Sequence, residues 1–235
     1  MPLVSEHSKL MAMELSTALT ELQAFQARRI ARTYRDLTAE AEFEALGAFF
    51  FDQIYAPRDF SFRNTSIRTL HRKLGATLPR LVVDAVGRVI ELHDLTDRLD
   101  RQVARRLVEM GAERPLRWRD YGRAYREAGS YEARRQQIEL LLEATRRIHQ
   151  ISQWRAVGWV LGVVDLAASL GGMGAVMHFL HSGYQAFHRV RYIERFLNAV
   201  SEREYALNDF LFGKIPHQAL PDPLPEIVPP EAAAA

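Results

Sequence analysis

Residues 49–60, FFFDQIYAPRDF, decide the fold of this chain, because they place five aromatic and three charged residues in twelve positions. At 100° per residue, Phe49, Phe50 and Phe51 point to most of the circumference of a helix, so a helix that carries them must be covered on nearly every side. The charged residues then lie at the edge of an apolar cluster, where a charge persists if it pairs or caps a helix end. The segment therefore predicts the centre of a helical core.

The rest of the chain up to residue 215 also predicts helices. Only four of the ten prolines precede residue 216, and apolar residues recur at spacings of three and four without sustained alternation. Gly111 and Gly129 predict helix ends. We therefore predict an all-α, single-domain bundle of about seven or eight helices over residues 1–214.

The C-terminal segment has a different composition. Six prolines fall within residues 216–230, and four alanines follow at positions 232–235. Proline interrupts regular helices, and low-complexity segments rarely bury enough apolar surface to order themselves. The sequence therefore predicts a flexible, disordered tail over residues 215–235.

Several segments resemble the FFLEELY-motif family of bacterial helical proteins. The phrase FFFDQIYAPRDFSFR at residues 49–63 resembles the signature of that family, although Phe51-Asp52-Gln53-Ile54 stands where the signature has leucine, two glutamates and leucine. The resemblance implies a shared helical fold and assigns no activity. Together the similar segments span roughly residues 15–212, and the others are residues 24–37, 91–96, 125–129, 134–140 and 179–187.

Composition excludes some classes of site. The chain is 48% hydrophobic and 26% charged, with a formal net charge of +2, which is typical of a globular protein. It contains no cysteine, which excludes disulfides, thiolate metal sites and a cysteine nucleophile and fits a reducing compartment. The first fifteen residues lack the basic and apolar pattern of a secretory signal, so we expect a cytoplasmic protein.

The apolar segment Ala156–Leu180 has two interpretations. Its 25 residues are enough to span a bilayer. Gly171 and Gly172, however, favour a helix end inside the segment, and Asp165 would be costly in lipid. We favour two core helices over membrane insertion, with Asp165 paired to an arginine or protonated.

Three histidines form the candidate metal site. His178, His181 and His188 share a narrow arc of one helix, and histidine is the commonest metal ligand. The opposite arc is apolar, which assigns the histidines to solvent, and no carboxylate joins them. The pattern favours an exposed helix face over a metal site.

The catalytic candidates are His93, Asp97, Asp52 and Asp165. His93 falls on the apolar stripe of the helix that contains it, with Asp97 one turn later, and a buried His–Asp pair could act as a general base. The alternative is a core histidine that bonds to a carboxylate or a carbonyl group. Because no nucleophile is placed beside His93 by sequence, we favour the structural role.

Cofactor motifs are absent from the sequence. None of the eight histidines has glutamate three residues before or after it, which argues against the di-iron site of helical bundles. The phosphate-binding, serine-hydrolase and zinc-protease motifs are also missing. We therefore expect no cofactor.

An arginine-rich aromatic segment offers a further hypothesis. Trp118, Tyr121 and Tyr125 alternate with arginines, a mixture that could stack on bases and bind phosphates. Helical spacing puts the three aromatic residues on one face, which favours a short helix packed on the core over a nucleic-acid site. Further along, we expect Arg134 and Arg147 to form surface ion pairs at helical spacing.

These observations favour a non-enzymatic binding or adaptor protein and leave an enzyme open. We expect a protein partner or a second copy of the chain, and no nucleic acid. The alternative is an enzyme or carrier for an apolar molecule, with a cavity between residues 49–55 and residues 159–180. Its ligand-binding candidates are Phe49, Phe50, Tyr55 and Trp159. A further alternative is a membrane-associated protein.

Overall fold

A computed structural model describes residues 6–51, 80–154 and 174–233. These residues contain helices and no strand, which confirms the predicted all-α fold for the part described. Two short 3₁₀ turns, His217–Ala219 and Pro230–Ala233, follow the long helices. The α-helices are α1 (Glu6–Thr33), α2 (Arg35–Thr38), α3 (Glu44–Phe49), α4 (Arg80–Glu109), α5 (Trp118–Glu127), α6 (Tyr131–Ser152), α7 (Gly174–His188), α8 (Ile193–Leu211) and α9 (Leu224–Ile227).

The chain divides into two compact units. The first unit comprises residues 1–33, 94–138 and 202–235, and the second comprises residues 34–93 and 139–201. The boundaries fall within α4, α6 and α8. The single domain proposed for residues 1–214 stays a prediction.

The first unit is built around one apolar core. Leu22 of α1, Val103 of α4 and Leu211 of α8 are at most 1% exposed, and they pack in one cluster with Tyr121 and Tyr125 of α5. Within each helix the buried residues of the cluster recur at spacings of three and four, as Tyr121 and Tyr125 do, so each helix buries a single stripe. The glycine predicted to end α5, Gly129, has a φ of 70°, a left-handed conformation that favours glycine, and α6 begins two residues later.

Residues 216–233 differ from the predicted flexible tail. They form two 3₁₀ turns and α9, and they pack into the core of the first unit. We call this segment the C-terminal strap. Its buried residues, spaced every four positions, are Leu220, Leu224, Val228 and Ala232. Proline disfavours a long helix in the strap, but short turns between the prolines still bring each apolar side chain to the core.

Gly122 allows the end of the strap to approach α5 closely. A Cβ atom at position 122 would lie 1.8 Å from the carbonyl oxygen of Ala232. The guanidinium group of Arg126, one turn later, donates to the carbonyl oxygens of Leu211 and Ala233. This arginine therefore bonds to both the end of α8 and the end of the strap.

The second unit contains the phenylalanine cluster that the sequence singled out. Phe49 at the end of α3 is 8% exposed, and its ring centroid lies 5.3 Å from that of Phe179 and 6.1 Å from that of Phe187 on α7. Phe50 stacks on Phe196 of α8 at 6.0 Å. Helical backbone continues through Phe51. Phe49 is therefore enclosed as predicted, whereas Phe50 and Phe51 are half-buried.

Polar contacts fix the start of α8 in this unit. The carboxylate of Glu42 accepts hydrogen bonds from the backbone N–H groups of Arg191 and Tyr192, at 3.0 and 3.1 Å. Arg195 makes two hydrogen bonds of 2.6 Å to the carboxylate of Glu40. Such a bidentate pair adds directional specificity to an exposed contact.

No helix in residues 6–51, 80–154 and 174–233 combines the length and hydropathy needed to cross a bilayer. Most of the ambiguous segment 156–180 lies outside the described residues, so its two-helix interpretation stays a prediction.

The ordered strap predicts a large effect of the substitution Leu224→Ala. Leu224 is fully buried, and removal of a buried leucine side chain costs about 2–5 kcal/mol in the free energy of unfolding. Urea denaturation of the full chain measures this value. Leu10→Ala is the matched control, because Leu10 is 50% exposed and its replacement should cost no more than about 0.5 kcal/mol. Equal stability of the two variants would contradict the packed strap.

Candidate binding groove

The two catalytic candidates that the structure describes, His93 and Asp97, do not form a buried pair. His93 is exposed, so its predicted burial on the apolar stripe of α4 is wrong. The buried stripe passes through Leu95 and Leu99 instead, and Leu95 points about 160° away from His93 on the same helix. Asp97 accepts a hydrogen bond of 2.8 Å from Arg101. Asp52 and Asp165 lie outside the described residues.

The three candidate metal ligands are all exposed. The Nδ1–H of His188 donates to the carbonyl oxygen of Ser152 at 2.7 Å, and the ring of His181 bonds to the side chain of Gln185. His178 lies one turn before His181. In the part of the chain that the structure describes, no three histidine or acidic side chains are placed to hold a metal ion.

The candidates for apolar ligand binding are described only in part. Phe49 and Phe50 contact other phenylalanine rings of the second unit. Tyr55 and Trp159 lie outside the described residues. The proposed cavity between residues 49–55 and 159–180 therefore stays a prediction.

The first unit has an open groove of about 1050 Å³. The groove is formed by one face of α1, the turn that leads into α5, and the end of the strap. Its lining combines aromatic and aliphatic side chains with four arginines and two glutamates: Glu21, Phe25, Arg28, Arg32, Pro115, Leu116, Arg117, Trp118, Arg119, Pro229 and Glu231. A groove with an apolar base and charged edges has the general composition of a binding site.

Positive charge exceeds negative charge along the groove. All four arginines are exposed. Arg28 approaches Glu21 at 3.9 Å, and Arg117 approaches Glu113 at 3.3 Å, with both pairs in contact with solvent. Within the described residues, Arg32 and Arg119 have no acidic partner within 4 Å. The groove therefore has two guanidinium groups that can pair with an incoming anion.

One of the two acidic residues has a structural role. The carboxylate of Glu21 accepts a hydrogen bond of 3.1 Å from the backbone N–H of Leu116. This bond attaches the turn before α5 to α1, and both elements line the groove. Glu231, in contrast, is exposed on the last turn of the strap.

Aromatic rings form the base of the groove. The ring centroid of Phe25 lies 4.9 Å from that of Trp118 and 4.7 Å from that of Tyr121. Trp118 and Tyr121 also meet edge to face at 5.7 Å. Because these rings pack on one another and on the core, the base is a preformed apolar surface.

A buried polar layer lies in the same unit. Arg29 of α1 pairs with Glu204 of α8, and the hydroxyl of Tyr125 donates to Asn208 at 3.0 Å. Asp100 of α4 lies 3.6 Å from Arg134 of α6 and accepts a hydrogen bond from Gln26 of α1. The layer joins α1, α4, α5, α6 and α8 by directional contacts, so it fixes the positions of the helices that carry the groove.

Burial governs the titration of this layer. The pKa of Asp100 is raised because its carboxylate is removed from water, and the charge of Arg134 offsets this effect only in part. Burial also raises the pKa of Tyr121 and of Tyr125, which keeps both phenols protonated.

The sequence missed most of this arrangement. Arg134 is 5% exposed, so the prediction of a surface ion pair is wrong for this residue, although Arg147 does pair with Glu143 as expected. The arginines of α1 were not identified as binding residues either. Arg28 and Arg32 are one helical turn apart on the side of α1 next to Phe25, a spacing that could have indicated a basic edge.

The raised pKa of Asp100 predicts a pH-dependent stability. A carboxyl group with a higher pKa in the folded chain stabilises the fold fully below its unfolded pKa of about 3.9, and this contribution is lost as the pH rises through the folded pKa. Asp100→Asn cannot ionise, so the wild type should lose stability relative to the variant as the pH rises from about 4. Urea denaturation at several pH values measures the difference.

Comparison at each pH cancels the titration of the other groups. If the wild type instead gains stability relative to Asp100→Asn as the pH rises, the attraction of Arg134 outweighs desolvation and the direction given for the pKa is incorrect.

Comparison with known proteins places the chain in a family without assigning an activity. No curated protein matches the sequence, and no solved structure matches the fold. A family model described as a domain of unknown function (DUF8198) matches residues 6–218. The matched range includes α1 to α8 and the first residues of the strap. The chain therefore belongs to the family defined by this domain, DUF8198.

Proposed function

We propose that this protein is a non-enzymatic binding or adaptor protein, and that the groove of the first unit binds an acidic segment of a protein partner. The observation that carries the proposal is the excess of arginine around an aromatic base, with Arg32 and Arg119 unpaired among the described residues. The expected partner is therefore a protein that offers an acidic segment.

The chemistry of the groove favours an acidic segment that also carries apolar side chains. Phe25 and Trp118 offer an apolar base, where large apolar anchors contribute most of the affinity in interfaces. The arginines at the edge supply charge complementarity, which raises the association rate and selects against basic partners. Arginine also binds carboxylates through two parallel hydrogen bonds.

A peptide suits the groove better than a nucleic acid does. The groove aromatics pack against one another, edge to face between Phe25 and Trp118 and tilted between Phe25 and Tyr121, so they form a packed base and not a row of free stacking platforms. The exposed position of His93 further favours binding over general-base catalysis.

The remaining sequence-based hypotheses belong to this proposal. We propose a cytoplasmic location, which the absence of cysteine supports. We also propose membership of the bacterial FFLEELY-motif group, which the resemblance of residues 49–63 supports. A second copy of the chain stays a candidate partner.

Peptide selection tests the proposal. A displayed library of random dodecapeptides, selected on the full chain, should yield sequences that combine Asp or Glu with Leu, Phe or Trp. Arg32→Glu with Arg119→Glu should weaken binding of a selected peptide about tenfold to a hundredfold, because each reversal replaces an attraction with a repulsion. Fluorescence anisotropy measures the affinity, which should also fall with added salt.

The matched control is Arg98→Glu with Arg105→Glu. Both arginines are exposed on α4 and lie outside the groove lining, so their reversal changes the net charge by the same amount without altering the site. Selection of neutral or basic peptides, or equal losses in the two double variants, would refute the proposal. Tighter binding of a labelled single-stranded oligonucleotide, lost on reversal of Arg32 and Arg119, would reassign the groove to nucleic acid.

A further inference from the structure

The last turn of the strap already occupies one side of the groove. Pro229 and Glu231 belong to the groove lining, while Ala232, which lies against Gly122 of α5, is fully buried. An acidic side chain of the protein itself therefore lies in the arginine-edged groove that we assign to an acidic partner.

Backbone contacts hold this turn in a defined register. The carbonyl of Ala232 lies against Gly122, where any side chain at position 122 would collide with it. The carbonyl of Ala233 accepts a hydrogen bond from Arg126. The two contacts engage the consecutive carbonyl groups of Ala232 and Ala233. Because Gly122 has no side chain, α5 has a notch at this position that fits two consecutive small residues.

The last turn buries less apolar side-chain area than the rest of the strap. Leu220, Leu224 and Val228 bury large side chains, and the carbonyl of Val228 bonds to the ring of His217. Beyond Val228, only the methyl group of Ala232 is fully buried. Because apolar stabilisation scales with buried area, the turn can detach while the rest of the strap stays packed.

We infer that residues 229–233, Pro-Pro-Glu-Ala-Ala, are a tethered ligand of the groove, and that the partner segment with the same chemistry, an acidic residue followed by two small residues, binds by displacing them. This inference rests on the proposed function and names the segment that the site accepts. Glu231 marks the position of the partner carboxylate, and Gly122 with Arg126 marks the position of the two small residues that follow.

A peptide supplied in trans tests the inference on the full chain. The probe is a labelled, end-blocked hexapeptide with the sequence of residues 228–233, Val-Pro-Pro-Glu-Ala-Ala. Ala232→Lys should release the last turn, because a lysine side chain does not fit a fully buried position. We expect this variant to bind the probe at least about tenfold more tightly than the wild type, whose own segment fills the site.

A second substitution locates the site of the probe. Adding Gly122→Ala to Ala232→Lys should abolish binding, because the new Cβ atom blocks the carbonyl of the bound peptide. A probe in which glutamate is replaced by lysine should bind the Ala232→Lys variant at least about tenfold more weakly, because its charge is repelled by the groove arginines.

The variant Glu231→Lys keeps the test valid if Ala232→Lys does not fold. Residue 231 is exposed, so this change alters the charge of the tethered turn without disturbing the core, and it should also raise the affinity for the original probe. Equal affinity of the wild type and the released variants, or binding that survives Gly122→Ala, would overturn the inference.

The two proposals fail differently. If release of the strap changes nothing while the selected acidic peptides still depend on Arg32 and Arg119, the tethered-ligand inference is wrong and the proposed function stands. If the library yields no acidic peptides, the proposed function fails, and the inference that rests on it fails as well.

Discussion

The burial of Leu224 in the core of the first unit is the constraint on which the strap depends. With Leu220 and Val228 it packs the strap into the core that includes residues of α1, α4 and α8. The contact between Gly122 and the carbonyl of Ala232 then brings the end of the strap against α5 at backbone distance, so any larger residue at position 122 would displace that end. The groove follows from the same contact, since the strap end supplies the side opposite α1.

Much of the helical architecture was predictable from sequence, because periodic apolar residues and helix-ending glycines are local signals. Leu22 and Phe25, three residues apart, lie on the buried face of α1 as helical spacing requires, and Gly129 predicted the break between α5 and α6. The ordered strap was not predicted, because the six prolines in residues 216–230 indicated a flexible segment. The spacing of Leu220 and Leu224, followed by apolar residues at the same interval, was the signal that composition concealed.

The candidate site was harder to predict, because it depends on contacts between helices distant in sequence. His93 and Leu95 are two residues apart and point to nearly opposite sides of the helix, about 160° apart, so the choice of apolar stripe decides which of them faces the core. Arg134 is stable in the interior because Asp100 approaches it from another helix. A single sequence does not show which residues approach from another helix, so an arginine is expected at the surface.

Hydrogen exchange of the full chain tests the ordered strap most directly. Backbone amides such as those of Leu220, Leu224, Val228 and Ala232 donate within the short turns of the strap and lie beside buried side chains, so they should exchange far more slowly than unstructured amides. Protection should be strongest around Leu224 and lower at Ala232, where the strap buries its smallest side chain. Exchange of all four amides at unstructured rates would contradict the packed strap and, with it, the groove that the strap completes.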